Sequence, residues 1–152
     1  MRLVVQRVGR ASVDVAGERI AEIGRGLLLL VGIASGDEDI DFRIAADKVV
    51  HLRIFQDDEG RMNRSVVDVG GRILAVSQFT LYGDTRKGRR PSFVGAAAPE
   101  VAKPLFDRFV DALRVEGVDV EVGRFGAKMA VELLNDGPVT LVIDVAPAGP
   151  VG

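Results

Sequence analysis

Leu27-Leu28-Leu29-Leu30-Val31-Gly32-Ile33 runs without a polar side chain. A half-buried strand alternates apolar and polar residues, and this stretch does not. It therefore fits a strand buried on both faces, and it is far too short to span a bilayer. Upstream, Leu3-Val4-Val5-Gln6-Arg7-Val8 is β-branched and extended in character, and Ala11 to Val15 alternates as a strand does. Gly17 marks a turn into Glu18–Ile23. A hairpin therefore precedes the apolar run, joined to it by Gly24-Arg25-Gly26.

Downstream, Ser35-Gly36-Asp37-Glu38-Asp39 reads as a loop and helix start, because acids in a first turn complement the helix dipole. Ile40, Ile44, Val49 and Leu52 give roughly helical spacing and predict a helix from Asp39 to His51. Arg53-Ile54-Phe55 resumes extended structure, and Asp57-Asp58-Glu59-Gly60 and Gly70-Gly71 are turns. A second strong strand is expected over Ile73–Leu81. A second helix is expected from Pro99 with an inner face of Val101, Leu105, Phe109 and Leu113. Pro104 falls awkwardly within it and could move the start towards itself. Gly117 ends that helix. Strands follow over Val118–Val122, Met129–Leu134 and Val139–Val145. The order of strands, helix, strands, helix, strands points to one α+β domain over residues 1–145. Its sheet is mixed or antiparallel, barrel-like, and covered by two main helices. The Ala/Gly/Pro tail, residues 146–152, is expected to be disordered.

The chain has 152 residues, no cysteine, and a single histidine. Disulfides, thiolate metal sites and His–His metal pairs are excluded, and no metal or cofactor is expected. The net charge of −2 argues against broad phosphate tracking, though not against a local grip on an RNA end. The first residues lack the apolar stretch of a signal peptide, which makes a cytoplasmic protein the default.

Common catalytic constellations are nearly missing. A Ser-His-Asp arrangement would have to use His51, which is expected to lie within a helix, and no nucleophile elbow, Walker loop or zinc-binding helix motif occurs. Ser77-Gln78-Phe79-Thr80-Leu81 is the first candidate. In a regular strand its side chains alternate and cannot all line one cavity, although backbone N–H groups at an irregular strand end could serve a site. A Thr80 nucleophile needs a neighbouring base, and the sequence nearby supplies none. Ordinary polar alternation explains the segment equally. Asn135-Asp136-Gly137-Pro138 reads first as a turn, but rigid carbonyls there could accept hydrogen bonds from an ammonium group. Arg86-Lys87-Gly88-Arg89-Arg90 is either a phosphate-holding patch or a solvated loop. Phe125 and Met129 could wall a pocket or fill core.

Together these segments resemble the D-aminoacyl-tRNA deacylase family, also called D-tyrosyl-tRNA deacylase. Ser77-Gln78-Phe79-Thr80-Leu81 and Asn135-Asp136-Gly137-Pro138-Val139-Thr140 carry most of the likeness. Arg2–Val8, Lys87-Gly88-Arg89-Arg90-Pro91-Ser92-Phe93 and Gly126-Ala127-Lys128-Met129 add to it. The resemblance implies a homodimer that hydrolyses the ester joining a D-amino acid, or glycine, to the 3′ end of tRNA. It implies that Gly137 and Pro138 form a cis dipeptide that enters the partner's pocket, holds the α-amino group, and leaves no room for an L side chain. Arg7 would orient that loop, Ser77, Gln78 and Phe79 would bind the terminal adenosine, and Thr80 would lie near the ester. Phe125 and Met129 would line the pocket, and Arg86, Lys87, Arg89 and Arg90 would hold phosphates. A noncatalytic RNA-binding or assembly module and a general esterase using Thr80 or Ser77 remain as other readings.

Overall fold

In the computed structural model, which describes residues 1–149, the apolar run becomes β3 (Gly26–Gly32), the centre of a mixed sheet. It is flanked by β1 (Arg2–Val15), antiparallel, and β6 (Arg72–Ser77), parallel. Its alternate side chains serve two cores. Leu27, Leu29 and Val31 join the cluster under the helices, while Leu28 joins Val8, Val13, Ile23, Leu74 and Val76 on the other face. Both faces are therefore buried, as the unbroken apolar pattern requires.

The rest of the sheet is built outward from this strand. β2 (Glu18–Ile23) pairs with the far half of β1, and β7 (Val120–Val122) runs parallel to β6. β8 (Ala130–Asp144) pairs antiparallel with β1 along nearly its whole length. A separate small hairpin is formed by β4 (Phe55–Gln56) and β5 (Met62–Arg64). The result is a nearly closed, barrel-like sheet with α1 (Phe42–Val50) and α2 (Pro99–Val115) packed on one face. Gly26 is required by packing, since a Cβ there would stand 1.8 Å from the Arg72 carbonyl oxygen. No described helix is long and apolar enough to cross a membrane.

Several local expectations change. Extended structure from Leu3 to Val8 and from Ala11 to Val15 merges into the single strand β1. Asp37–Asp39 forms a short 3-10 turn, and α1 starts only at Phe42 because the Asp41 side chain caps the Arg43 N–H. α2 does start at Pro99 and runs through Pro104, whose ring faces solvent. Its buried face is Ala102, Leu105, Phe106, Phe109, Val110 and Leu113, with Val101 turned outward. The expected strand over Ile73–Leu81 stops at Ser77, and a 3-10 turn takes Phe79–Tyr82. Of the tail, Ala146–Gly149 has no regular structure, and residues 150–152 lie outside the described residues.

Candidate active site

The break after Ser77 makes the cavity. The Gln78 N–H still bonds to Val31 at 2.8 Å, as an extension of the sheet, but the chain then curls into the 3-10 turn. Curling removes the strict alternation of a strand, so Ser77, Gln78, Phe79 and Thr80 all line one cavity of about 800 Å³. This corrects the expectation that they could not share one. Arg2 braces the turn from below: it donates to the Leu81 carbonyl at 3.2 Å, lies 5.4 Å from the Tyr82 ring centroid, and is paired with Asp144 at 2.8 Å. Burial, with Asp37 adding to it, pushes the Tyr82 hydroxyl up to about 12, so that ring stays neutral.

Phe125 and Met129 form part of the same wall, and Phe125 packs against Phe106 of α2 with ring centroids 6.2 Å apart. Sequence reading missed Phe93, which meets Phe79 edge-on at 5.2 Å, and the start of α2, where Ala98, Pro99 and Ala102 close the cavity. Lack of a polar signal hid the alanines, and the distance along the chain hid Phe93. Among the described residues no charged side chain lines the cavity. The Thr80 hydroxyl accepts from the Gln78 amide at 3.1 Å, and an amide N–H cannot take a proton from it. The first N–H groups of a helical turn have no partner inside it, and no side chain caps this one. Phe79 and Thr80, both lining the cavity, thus have no partner for their N–H groups within the turn.

Gly137 and Pro138 do not line this cavity. They stand in the middle of β8, and the peptide bond between them is cis. Gln6 pairs with Thr140 and Val8 with Asn135, so Asp136–Val139 must loop out opposite the lone Arg7. Arg7 is buried and donates from Nε to the Asp136 carbonyl at 2.8 Å and from Nη1 to the Ile54 carbonyl at 2.7 Å. Arg86, Lys87, Arg89 and Arg90 are all exposed at the tip of a loop closed by the Asp84–Ser92 bridge. Arg86 is held by Asp84 at 2.6 Å, and this pair lowers the Asp84 carboxyl to about 2.

His51 caps the end of α1 rather than sitting within it, with Nδ1 2.9 Å from the Asp47 carbonyl oxygen. Asp47, His51 and Glu116 bring ligand-capable atoms within 4.8 Å of one another. Bonding to the helix end accounts for the imidazole's position.

Fold and cavity together define a class: a small α+β domain whose barrel-like sheet opens an uncharged cavity where a parallel strand breaks. The sequence model described as D-Tyr-tRNA(Tyr) deacylase matches residues 4–144. A D-aminoacyl-tRNA deacylase of Brevibacillus brevis is 60% identical over 95% of this chain and 99% of the relative. Another, of Roseiflexus sp. strain RS-1, is 59% identical over 96% of this chain and 94% of the relative. The solved structure of a c-Myc DNA unwinding element binding protein superposes with TM-score 0.89 at 41% identity, covering 97% of this chain and all of that one. A probable eukaryotic D-amino acid tRNA deacylase shares the fold at TM-score 0.81 and 24% identity, over 95% of this chain and 98% of that one. The chain belongs to the D-Tyr-tRNA(Tyr) deacylase family, a family of hydrolases.

Proposed function

We propose that the chain hydrolyses the ester between a D-amino acid, or glycine, and the 3′-terminal adenosine of tRNA, proofreading chirality in the cytoplasm as a homodimer. The observation that carries this reading is the cavity lining: apolar walls and neutral hydrogen-bonding side chains, with an uncapped turn at Phe79 and Thr80. Such a site accelerates hydrolysis by position and by fixed dipoles rather than by an ionising side chain. Water attacks the ester carbonyl carbon, and the Phe79 and Thr80 N–H groups meet the developing oxyanion. The bond to the ribose oxygen breaks, and that oxygen takes the proton given up by the attacking water, passed on by the neighbouring ribose hydroxyl. The names of the relatives support the same substrate.

The dimer reading rests on β8. Its outer edge is unpaired among the described strands, and Val131, Leu134 and Val142 are exposed along it. A long free edge invites pairing with another chain. Val131 lines the cavity, but the loop begins only after Asn135, roughly 13 Å further along at about 3.3 Å per residue. Gly137 and Pro138 therefore lie outside their own cavity, and a second copy's cavity is the site they would enter. There their carbonyls hold the α-amino group and the Pro138 ring occupies the space of an L side chain.

Deacylation of matched D-aminoacyl-, L-aminoacyl- and glycyl-tRNA, with a simple amino-acid ester as control, tests this. The D and glycyl esters are expected to be cleaved and the other two spared, and Pro138→Ala is expected to relax rejection of the L form. Turnover of the simple ester would instead indicate a general esterase. Binding of tRNA without any turnover would indicate a noncatalytic RNA-binding module, and unchanged discrimination in the Pro138 variant would remove the wedge.

A further inference from the structure

We infer that Asn135 is the positioning residue that sets the stance of the Asp136–Val139 loop, and through it the discrimination between D and L substrates. This rests on the wedge reading of Gly137-Pro138 given above.

The loop has lost its strand partners, because four residues of β8 face one residue of β1. A looped-out segment on an edge strand needs some other bond to close its neck, or it samples several poses. The Asn135 side chain supplies that bond. Its Oδ1 accepts from the Val139 N–H at 2.7 Å, and its Nδ2 donates to the Val139 carbonyl at 3.1 Å. A primary amide offers the same donor and acceptor as a peptide, so Asn135 replaces a missing ladder rung with its own side chain. Nδ2 also lies 3.0 Å from the Thr140 hydroxyl, which receives the Gln6 amide at 3.3 Å. The far shoulder of the loop is thereby tied back to β1.

The two shoulders are held differently. Arg7 holds Asp136 by its carbonyl, with the Asp136 carboxylate 3.7 Å from the same Nε, whereas Asn135 holds both polar groups of Val139. Gly137 and Pro138 lie between these fixed points, so the direction of their carbonyls follows from both. Asn135 is half-buried at the loop's base and does not line the cavity, so it touches no reacting atom in its own subunit. It acts through the loop.

The test compares kcat/KM for matched D- and L-aminoacyl-tRNA in Asn135→Asp, Asn135→Ser and Pro138→Ala. Aspartate keeps the acceptor for the Val139 N–H but turns the donor end into a carboxylate facing the Val139 carbonyl; serine is too short to reach either group. Asn135→Asp is expected to lower the D/L ratio of kcat/KM by about tenfold or more, with the KM for tRNA held within about twofold. Loss of stability alone would scale both substrates equally and leave the ratio unchanged. A parental ratio in Asn135→Asp, alongside a reduced ratio in Pro138→Ala, overturns the inference while leaving the wedge standing. Parental ratios in both overturn the wedge and this inference with it. If Asn135→Asp is too unstable to assay, Asn135→Ser decides in the same way.

Discussion

Arg7 stands directly opposite the loop it holds: its Nε donates to the Asp136 carbonyl at 2.8 Å, across a pairing of β1 and β8 that skips the residues between. The same guanidinium reaches the Ile54 carbonyl at 2.7 Å, so one buried side chain ties the loop to the segment before β4.

Arg7→Met is expected to leave both carbonyls without their donor. The cost is roughly 1–3 kcal/mol of stability, that of one buried acceptor left unmet, because the Ile54 carbonyl is buried and Asp136 is exposed. Discrimination against L-aminoacyl-tRNA should fall with it. Arg7→Lys should recover little, because a single ammonium cannot span both acceptors as a planar fork does. Thermal melts and paired D/L assays check this; wild-type selectivity in the methionine variant would separate Arg7 from the loop's role.

Thr80→Ala is expected to slow deacylation by no more than about tenfold, the scale of a lost positioning contact. The hydroxyl's partner is the Gln78 amide, which cannot serve as a base. A fall of several orders of magnitude in single-turnover rate, with tRNA binding intact, would make Thr80 a nucleophile.

Lys87, Arg89 and Arg90 are expected to hold tRNA phosphates, so replacing each with serine should weaken binding at every sequence. Each loss should also reduce the slope of log affinity against log salt by about 0.7–0.9. Arg86→Ser should change the slope less, because Asp84 already engages that guanidinium at 2.6 Å. Affinity and slope unchanged from the parent in all four variants would return the loop to a solvated surface.

The Asp84–Arg86 pair predicts a pH window for the order of this loop. The Arg86 hydrogen bonds lower the Asp84 carboxyl from 3.8 to about 2. A depressed carboxylate contributes order that is fully present above its unfolded value and is lost as pH falls through the folded one. The protection factor of the Arg86 amide, its exchange relative to a free chain at the same pH, should therefore be full above about pH 4 and fall towards about pH 2. Protection that stays flat across this range would show that the pair does not order the loop.

Sequence alone settled the elements with strong periodicity. The run from Leu27 to Ile33 fitted a strand with two buried faces, and the structure divides its side chains between two cores. The hairpin, both helices and the α+β order followed from pattern, because burial imposes its period on the sequence directly. The scarcity of histidine and the absence of cysteine were also legible, since composition is not altered by folding.

Other features belong to the tertiary structure. Where β6 would break after Ser77 was not written locally, because Phe79 and Leu81 continue an apolar alternation that a strand could also have used. The turn is set by what it meets: Val31 beneath Gln78, and Arg2 at the Leu81 carbonyl. Likewise, the resemblance implied that Arg7 orients the Asn135–Thr140 segment, but no local pattern shows their contact, for they are more than a hundred residues apart. Only the pairing of β1 with β8 brings them face to face. A pattern in the chain can specify which residues are buried, but register between distant strands decides which of them touch.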